Sequence, residues 1–474
     1  MIIAIVINFI RRRKILILAS ILIFIFLATF HKHYSEPPKT FENLVSSYCN
    51  APHQVTGDET EAIHGLKLVQ LQILIRHGDR APINIKALPN TSPVHLSCRF
   101  HHKNQHFNQM LIKYKKMVDK GVFKVVGSSH KEFVENRNPC YGGQLTTHGM
   151  LQHLFIGNHL KNSYSKFVGK ILDKDIHVLS TDTPRTKQSA AALLAGMFHD
   201  SFNSKDVAEI TLNVHADHLN AHLVLDKDEK PLSCPSLSKK FKEVLKGPEF
   251  KAFEKNIRPM LKSLAYYLSS DVEEFSRFNE IVDTFYTRAC HSLGIPVGPK
   301  YTIPLSLIDQ SFGYAHRYTT IRHSGELAEL QTLSILSHIA KQIINVVKDG
   351  AGNKKLVLYS GHDSMIHPFL QILNDKFKTW PPYASRIIFE VYVESNTSPN
   401  DKNLFSKTFF RVLYNGEAIE NIKFIGNGDG PMKLYSLSHL LTHLTKRSFQ
   451  EVKYYEVNIL SELLFTKIEN LCSE

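Results

Sequence analysis

The chain has 474 residues, 43 % of them hydrophobic, with no low-complexity tract. It can therefore bury a large core as one or two domains, and it reads as a globular protein with a segment attached at its front. Its 57 basic against 44 acidic residues give a formal net charge of +13, which suits an anionic ligand or matrix partner and equally describes a solvated basic surface. No arginine-rich arm, zinc finger or aromatic-interleaved RNA motif accompanies that charge, which sets nucleic acid aside as a partner.

The attached segment comes first in chain order. Arg11, Arg12, Arg13 and Lys14 precede an apolar run from Ile15 to Phe30, short for a spanning helix of about 17 to 20 residues and long for a signal-peptide core. The basic flank fits the positive-inside rule and no small-x-small cleavage site follows, which favours an uncleaved anchor over a cleaved signal. Residues 1–14 are then a cytoplasmic tail, 15–30 a signal-anchor and 31–62 a stem marked by Pro37 and Pro38, with all that follows in the lumen. A short span suits an early-secretory membrane.

Next comes LKLVQLQILI at 66–75, apolar on both faces as a central parallel strand is. Helical patterns follow at 146–160, 183–198 and 324–347, and a second buried strand at 354–360. Strands alternating with helices predict an α/β fold with a mainly parallel sheet, its core at 63–202 and 321–474. Residues 203–320 break that rhythm and read as a mostly helical cap inserted in the core. Cys49, Cys98, Cys140, Cys234, Cys290 and Cys472 are scattered without zinc-like pairs, which reads as disulfides in a lumenal protein, with connectivity open. The sequons at Asn90 and Asn396 are surface acceptors if lumenal. His215, His218 and His222 have helical metal spacing but follow a strand-like TLNV and lack carboxylates, so no metal is expected.

Both strands end in chemistry. IRHGDR follows the first and SGHD the second, where an open α/β sheet binds ligands and helix starts offer free N–H groups to anions. Arg76 and Arg80 can grip a dianion by their forks, with Gly78 letting the backbone turn close beneath it and His77 between them as the nucleophile. Arg185 follows Pro184 at the start of an alanine-rich helix and adds a third cation. His362 and Asp363 supply a fourth pole, Asp363 being placed to protonate an alkoxide leaving group. Gln144, Thr146 and Gly149 read as capping and packing residues.

RHGDRAP at 76–82, GQLTTHGMLQH at 143–153, STDTPRTKQSA at 180–190 and GHD at 361–363, in this order, resemble the histidine acid phosphatase family. The resemblance runs from about residue 66 to the carboxyl end. It implies the family's phosphoglycerate-mutase-like fold, a phosphohistidine on His77, phosphate held by Arg76, Arg80, Arg185 and His362, and Asp363 as proton donor, without cofactor or metal. It also implies pairing of Cys234 with Cys472 and of Cys98 with Cys140, leaving Cys49 with Cys290. Leu179 departs from prostatic-type members, which carry arginine there, and is expected to alter the pocket rim.

Within the family, the front anchor and the segments YCN at 48–50, FGY at 312–314, SRIIFEVY at 385–392 and FRVLYNGE at 410–417 resemble a Golgi-anchored type II member. That likeness implies removal of the 2-phosphate of xylose in the glycosaminoglycan–protein linkage region. A broad lysosomal or secreted acid phosphatase and an inactive phospho-sugar-binding relative are the alternatives, and the oligomeric state stays open.

Overall fold

In a computed structural model of the chain, the strand expected at 66–75 runs from Leu66 to Arg76 (β1) and is central. Residues 48–473 are described except 51–54, 85–87, 89–93, 129–137, 201–208, 216–222, 231, 270–274, 295–300, 349–353, 375–379, 431 and 447–456. The expected tail and anchor, most of the stem, Asn90, His218 and His222 lie outside the described residues. Among the described residues no helix is long and apolar enough to cross a membrane.

On one side of β1 the sheet is parallel and continues through β5 (Leu356–Gly361), β3 (Ile176–Thr181), β4 (Ile210–His215) and β2 (Phe123–Val126). On its other side β6 (Arg386–Glu394), β7 (Thr408–Tyr414) and the short strand Tyr435–Ser436 run antiparallel. The pleat of β1 sends Leu71, Ile73 and Ile75 to one face and Leu74 to the other, all fully buried. Each such side chain contributes about 1.5–3 kcal/mol on leaving water.

The first face is covered by α1 (Gln105–Asp119), α2 (Thr147–Ser163) and α3 (Pro184–Phe198). Pro184 fits the first turn of α3, where its missing N–H goes unneeded, and the following alanines let that helix press on the sheet. The second face is covered by α8 (Gly325–Lys348), α9 (Asp363–Leu373), α10 (Leu437–Thr445) and α11 (Val457–Ser473). Gln70 and Gln72 are buried on β1, and their amides donate to the carbonyls of Gln342 and Ile339 on α8.

Between β4 and α8 lie α4 (Pro235–Lys246), α5 (Pro248–Leu268), α6 (Phe275–Cys290) and α7 (Leu305–Arg322). Two expected limits shift. Residues 210–215, given above to the insertion, form β4 inside the main sheet, because a strand-like pattern such as TLNV does not say which strands it will pair with. The folded unit begins at Tyr48 rather than near Ile63, since Glu59 is buried in an ion pair with Arg386 (Nη2 to Oε1, 2.7 Å) and Tyr48 is buried beside β1. The disulfides are Cys49–Cys290, Cys98–Cys140 and Cys234–Cys472, as the resemblance implied.

Candidate active site

Register brings the two strand ends level. Arg76 lies opposite Gly361 and Ser180 opposite Ser360, so β1, β5 and β3 finish along one edge of the sheet. The backbone N–H of His77 donates to the Gly361 carbonyl at 2.9 Å. Gly78 serves packing rather than an unusual turn: a Cβ there would stand 2.5 Å from the Gly149 carbonyl oxygen. Thr146 caps α2 by accepting from the Gly149 N–H (3.0 Å) and also donates to Asp79, which clamps the loop to that helix.

All six expected side chains gather at this edge. His77 and His362 meet edge to face, with ring centroids 5.4 Å apart. Arg185 Nη2 lies 3.3 Å from His362 Nδ1, and His362 Nε2 lies 3.1 Å from Thr181 Oγ1. His77 Nδ1 is 2.8 Å from the Gly78 carbonyl, which only accepts, so Nδ1 carries the hydrogen and Nε2 keeps its lone pair. Burial first, and then Arg185, Arg76, His362 and Arg80, push the His77 pKa well below the usual imidazole range. The ring is thus a neutral base ringed by cations.

The cations are held tightly. Arg76 lies between the rings of Tyr383 (4.4 Å) and Tyr48 (5.1 Å), and donates to the Pro381 carbonyl, to Tyr48 Oη at 2.9 Å and to Asp363 Oδ2 at 2.9 Å. Arg80 sends both terminal nitrogens to Asp283 of α6, at 2.9 and 2.8 Å. Burial, followed by the neighbouring Arg80, brings the Arg185 pKa down to about 10. The Nε–H groups of Arg76, Arg80 and Arg185 are all buried without a hydrogen-bond partner among the described residues. Three orphaned cationic donors around one imidazole can be satisfied together by a tetrahedral dianion.

Asp363 opens α9. Its Oδ1 accepts the Ser364 N–H at 2.9 Å and its Oδ2 accepts Trp380 Nε1–H at 3.2 Å besides Arg76. Burial pushes this carboxyl up, but Arg76, His362, Arg80 and Trp380 outweigh it and hold the group well below the usual carboxylate range. Leu179 does not reach the rim: it is buried in the α8-side core. His215 is partly buried, and among the described residues no cluster of histidine, cysteine or carboxylate side chains could hold a metal.

Residues 67–415 match the histidine phosphatase superfamily (branch 2). The chain belongs to this superfamily. It is 26 % identical to counting factor 60 of Dictyostelium discoideum (78 % of this chain, 84 % of that one). It is 24 % identical to 2-phosphoxylose phosphatase 1 of Xenopus tropicalis (78 % and 72 %), and 27 % identical to lysosomal acid phosphatase of Rattus norvegicus (56 % and 63 %). A multiple inositol polyphosphate phosphatase of Bifidobacterium longum, solved with inositol hexasulfate, shares the fold at a TM-score of 0.53, 12 % identity and coverage of 85 % of this chain and 98 % of that one. The chain is an enzyme of the histidine acid phosphatase kind.

Several residues of this phosphatase's site escaped the sequence motifs. The cap helix α6 lays one face on the catalytic loop: Glu280 accepts from Asn84 Nδ2 (2.8 Å), Asp283 holds Arg80, Tyr286 stacks on Tyr48 (4.1 Å), and Cys290 is bonded to Cys49. Just beyond, His291 Nε2 meets Asp79 Oδ2 at 2.7 Å. Spacings of three and four residues along α6 were a visible signal, but nothing in them named the partner loop. Tyr48 entered only as part of the YCN likeness, with no role attached, and Tyr383 and Trp380 carried no signal.

The Asp79–His291 pair sets a pH dependence. Burial pulls the His291 imidazole down, yet Asp79 outweighs it and raises the pKa. Burial likewise pushes Asp79 up, and His291 pulls it below its ordinary value. A histidine raised in the fold contributes stability that is full below about 6.5 and lost as pH climbs through the folded value, whereas a lowered aspartate contributes above about 3.9 and loses it below. The bridge is therefore strongest at mildly acidic pH. His291→Ala is expected to remove about 3 kcal/mol there, with the gap to the parent in Tm closing as pH rises past neutrality. A gap that stays constant would show that no charged pair is present.

Proposed function

We propose that this phosphatase hydrolyses phosphomonoesters through a phosphohistidine. The three orphaned guanidinium Nε–H groups around a neutral, buried His77 carry this reading. Arg76, Arg80, Arg185 and His362 bind the phosphoryl oxygens. His77 Nε2 forms a bond to phosphorus as the ester P–O bond breaks, and the departing oxygen takes a proton from Asp363. Water then attacks phosphorus as the bond to His77 Nε2 breaks and its electron pair returns to the ring, the water giving a proton to Asp363 and phosphate being released. Arg76 holds Asp363 ionised, so it is a bound dianion, by offsetting the arginines, that lets the acid keep a proton. His77 stays unprotonated in acid because of its burial and then the same arginines, which supports an acidic optimum.

For substrate, the proposal is the 2-phosphate of xylose in the glycosaminoglycan–protein linkage region, with the enzyme a single-pass type II Golgi membrane protein whose catalytic part is lumenal. It is supported by likeness to the 2-phosphoxylose phosphatases over most of the chain, by six cysteines all in disulfides, by an exposed Asn396 sequon and by the basic flank before the apolar run at 15–30. Likeness to lysosomal acid phosphatase favours a broader acid phosphatase as second reading. The test is a panel of phosphoxylose-containing linkage oligosaccharide, inositol phosphates and phosphotyrosine. A kcat/KM at least about tenfold higher on the oligosaccharide is expected, from protein whose Asn396 carries a glycan. A flat profile would install the broad reading. Phosphate binding without turnover on any of them would leave a phospho-sugar-binding protein.

A further inference from the structure

Asp363 must do more than hold a proton; the proton has to sit on the oxygen nearest the departing alkoxide. A carboxylate has two oxygens, and here they are treated differently. Oδ2 accepts two donors, Arg76 Nη2 at 2.9 Å and Trp380 Nε1 at 3.2 Å, whereas among the described residues Oδ1 accepts only the Ser364 backbone N–H at 2.9 Å. A proton on Oδ2 would face two donors; on Oδ1 it has an open lone pair. We infer that Trp380 is a positioning residue for the acid, holding Oδ2 together with Arg76 so that Oδ1 carries the transferable proton. The inference rests on Asp363 being the proton donor proposed above.

The indole is itself well held. Trp380 is the only tryptophan of the chain. Its ring packs on His367 of α9, with centroids 4.7 Å apart, and lies 6.2 Å from His323, which follows α7. His367 is fully buried. The next residue, Pro381, offers its carbonyl to Arg76 Nη1, so the segment that aims the indole also aims the arginine sharing Oδ2. Proline fixes φ at both 381 and 382, which removes freedom from that segment. In the transfer itself the proton moves from Oδ1 to the ester oxygen as the P–O bond breaks and the bond to His77 Nε2 forms. The carboxylate left behind keeps Oδ2 in its two hydrogen bonds and is ready to take a proton from water.

Trp380→Phe keeps a ring against His367 and removes only the donor. With the full-length enzyme, kcat on an alkyl phosphate such as glycerol 2-phosphate is expected to fall by roughly tenfold or more, and on 4-nitrophenyl phosphate, whose leaving group needs no proton, by less than about threefold. Inhibition by inorganic phosphate should be unchanged. Trp380→Leu, which also lacks a donor, should show the same selective loss on the alkyl phosphate and carries the test alone if the phenylalanine variant does not fold. Equal losses on both substrates, or weaker phosphate inhibition in parallel, would overturn the inference in favour of a packing role. Asp363→Asn run alongside separates the two claims. If it loses both substrates equally, the acid assignment itself fails. If it discriminates and neither Trp380 variant does, only the role of Trp380 falls.

Discussion

His77→Ala is expected to abolish turnover on every phosphomonoester, by on the order of 10⁴ to 10⁶ in kcat, as removal of a covalent nucleophile does elsewhere. No second imidazole can replace it. The Nδ1 of His362 is occupied by Arg185 and its Nε2 by Thr181, so that ring offers no free lone pair to phosphorus. The substitution takes away no charge, since His77 is neutral in the fold, and it leaves the cations around the site in place. Inorganic phosphate should therefore bind the variant about as tightly as the parent by calorimetry, while acid-labile labelling from radioactive substrate disappears. Residual turnover above about one part in a hundred would transfer the nucleophile's role to another group.

Asp363→Asn carries the second large effect, and its size should depend on what departs. On sugar or alkyl phosphates a loss of about 10² to 10⁴ is expected, the usual worth of general acid catalysis, with little change where the leaving oxygen is already a weak base. Two further consequences follow from the salt bridge. Arg76 loses its counter-ion, so the cationic field over the pocket grows and phosphate should bind more tightly. The fall in activity as pH rises through the pKa of the acid in the substrate complex should flatten in the variant, because activity needs the protonated form and the amide does not titrate. In the parent, activity should persist into acid, because burial and then the arginines keep His77 a free base there. Steady-state pH profiles on both substrate classes read all of these. A basic limb that survives in Asp363→Asn would assign that titration to the substrate phosphate instead.

The placement of the six site residues was legible in one dimension, for a physical reason. An apolar strand buried on both faces reports itself by composition, and the residues following it must stand at the carboxyl edge of a parallel sheet; thus Arg76, His77, Arg80, His362 and Asp363 could be put together from LQILIRHGDR and LVLYSGHD alone. Arg185 was placed by Pro184 and the alanines behind it, which start a helix wherever the chain goes. The need for Gly78 arises from Gly149, 71 positions away by number, and not from its own φ, which local sequence cannot show.

Everything that restrains those residues came from contacts between distant elements. The antiparallel half of the sheet beyond β6, the burial of Glu59 and Tyr48, the grip of Asp283 on Arg80, and the indole of Trp380 on Asp363 all join segments whose local patterns are silent about each other. Periodicity records how one element meets its surroundings, whereas ion pairs and hydrogen bonds across the fold depend on where packing of the whole core sets each backbone. A lone tryptophan before two prolines looks like a loop in any sequence. Only the closure of that segment over the end of β1 turns its N–H toward the carboxylate.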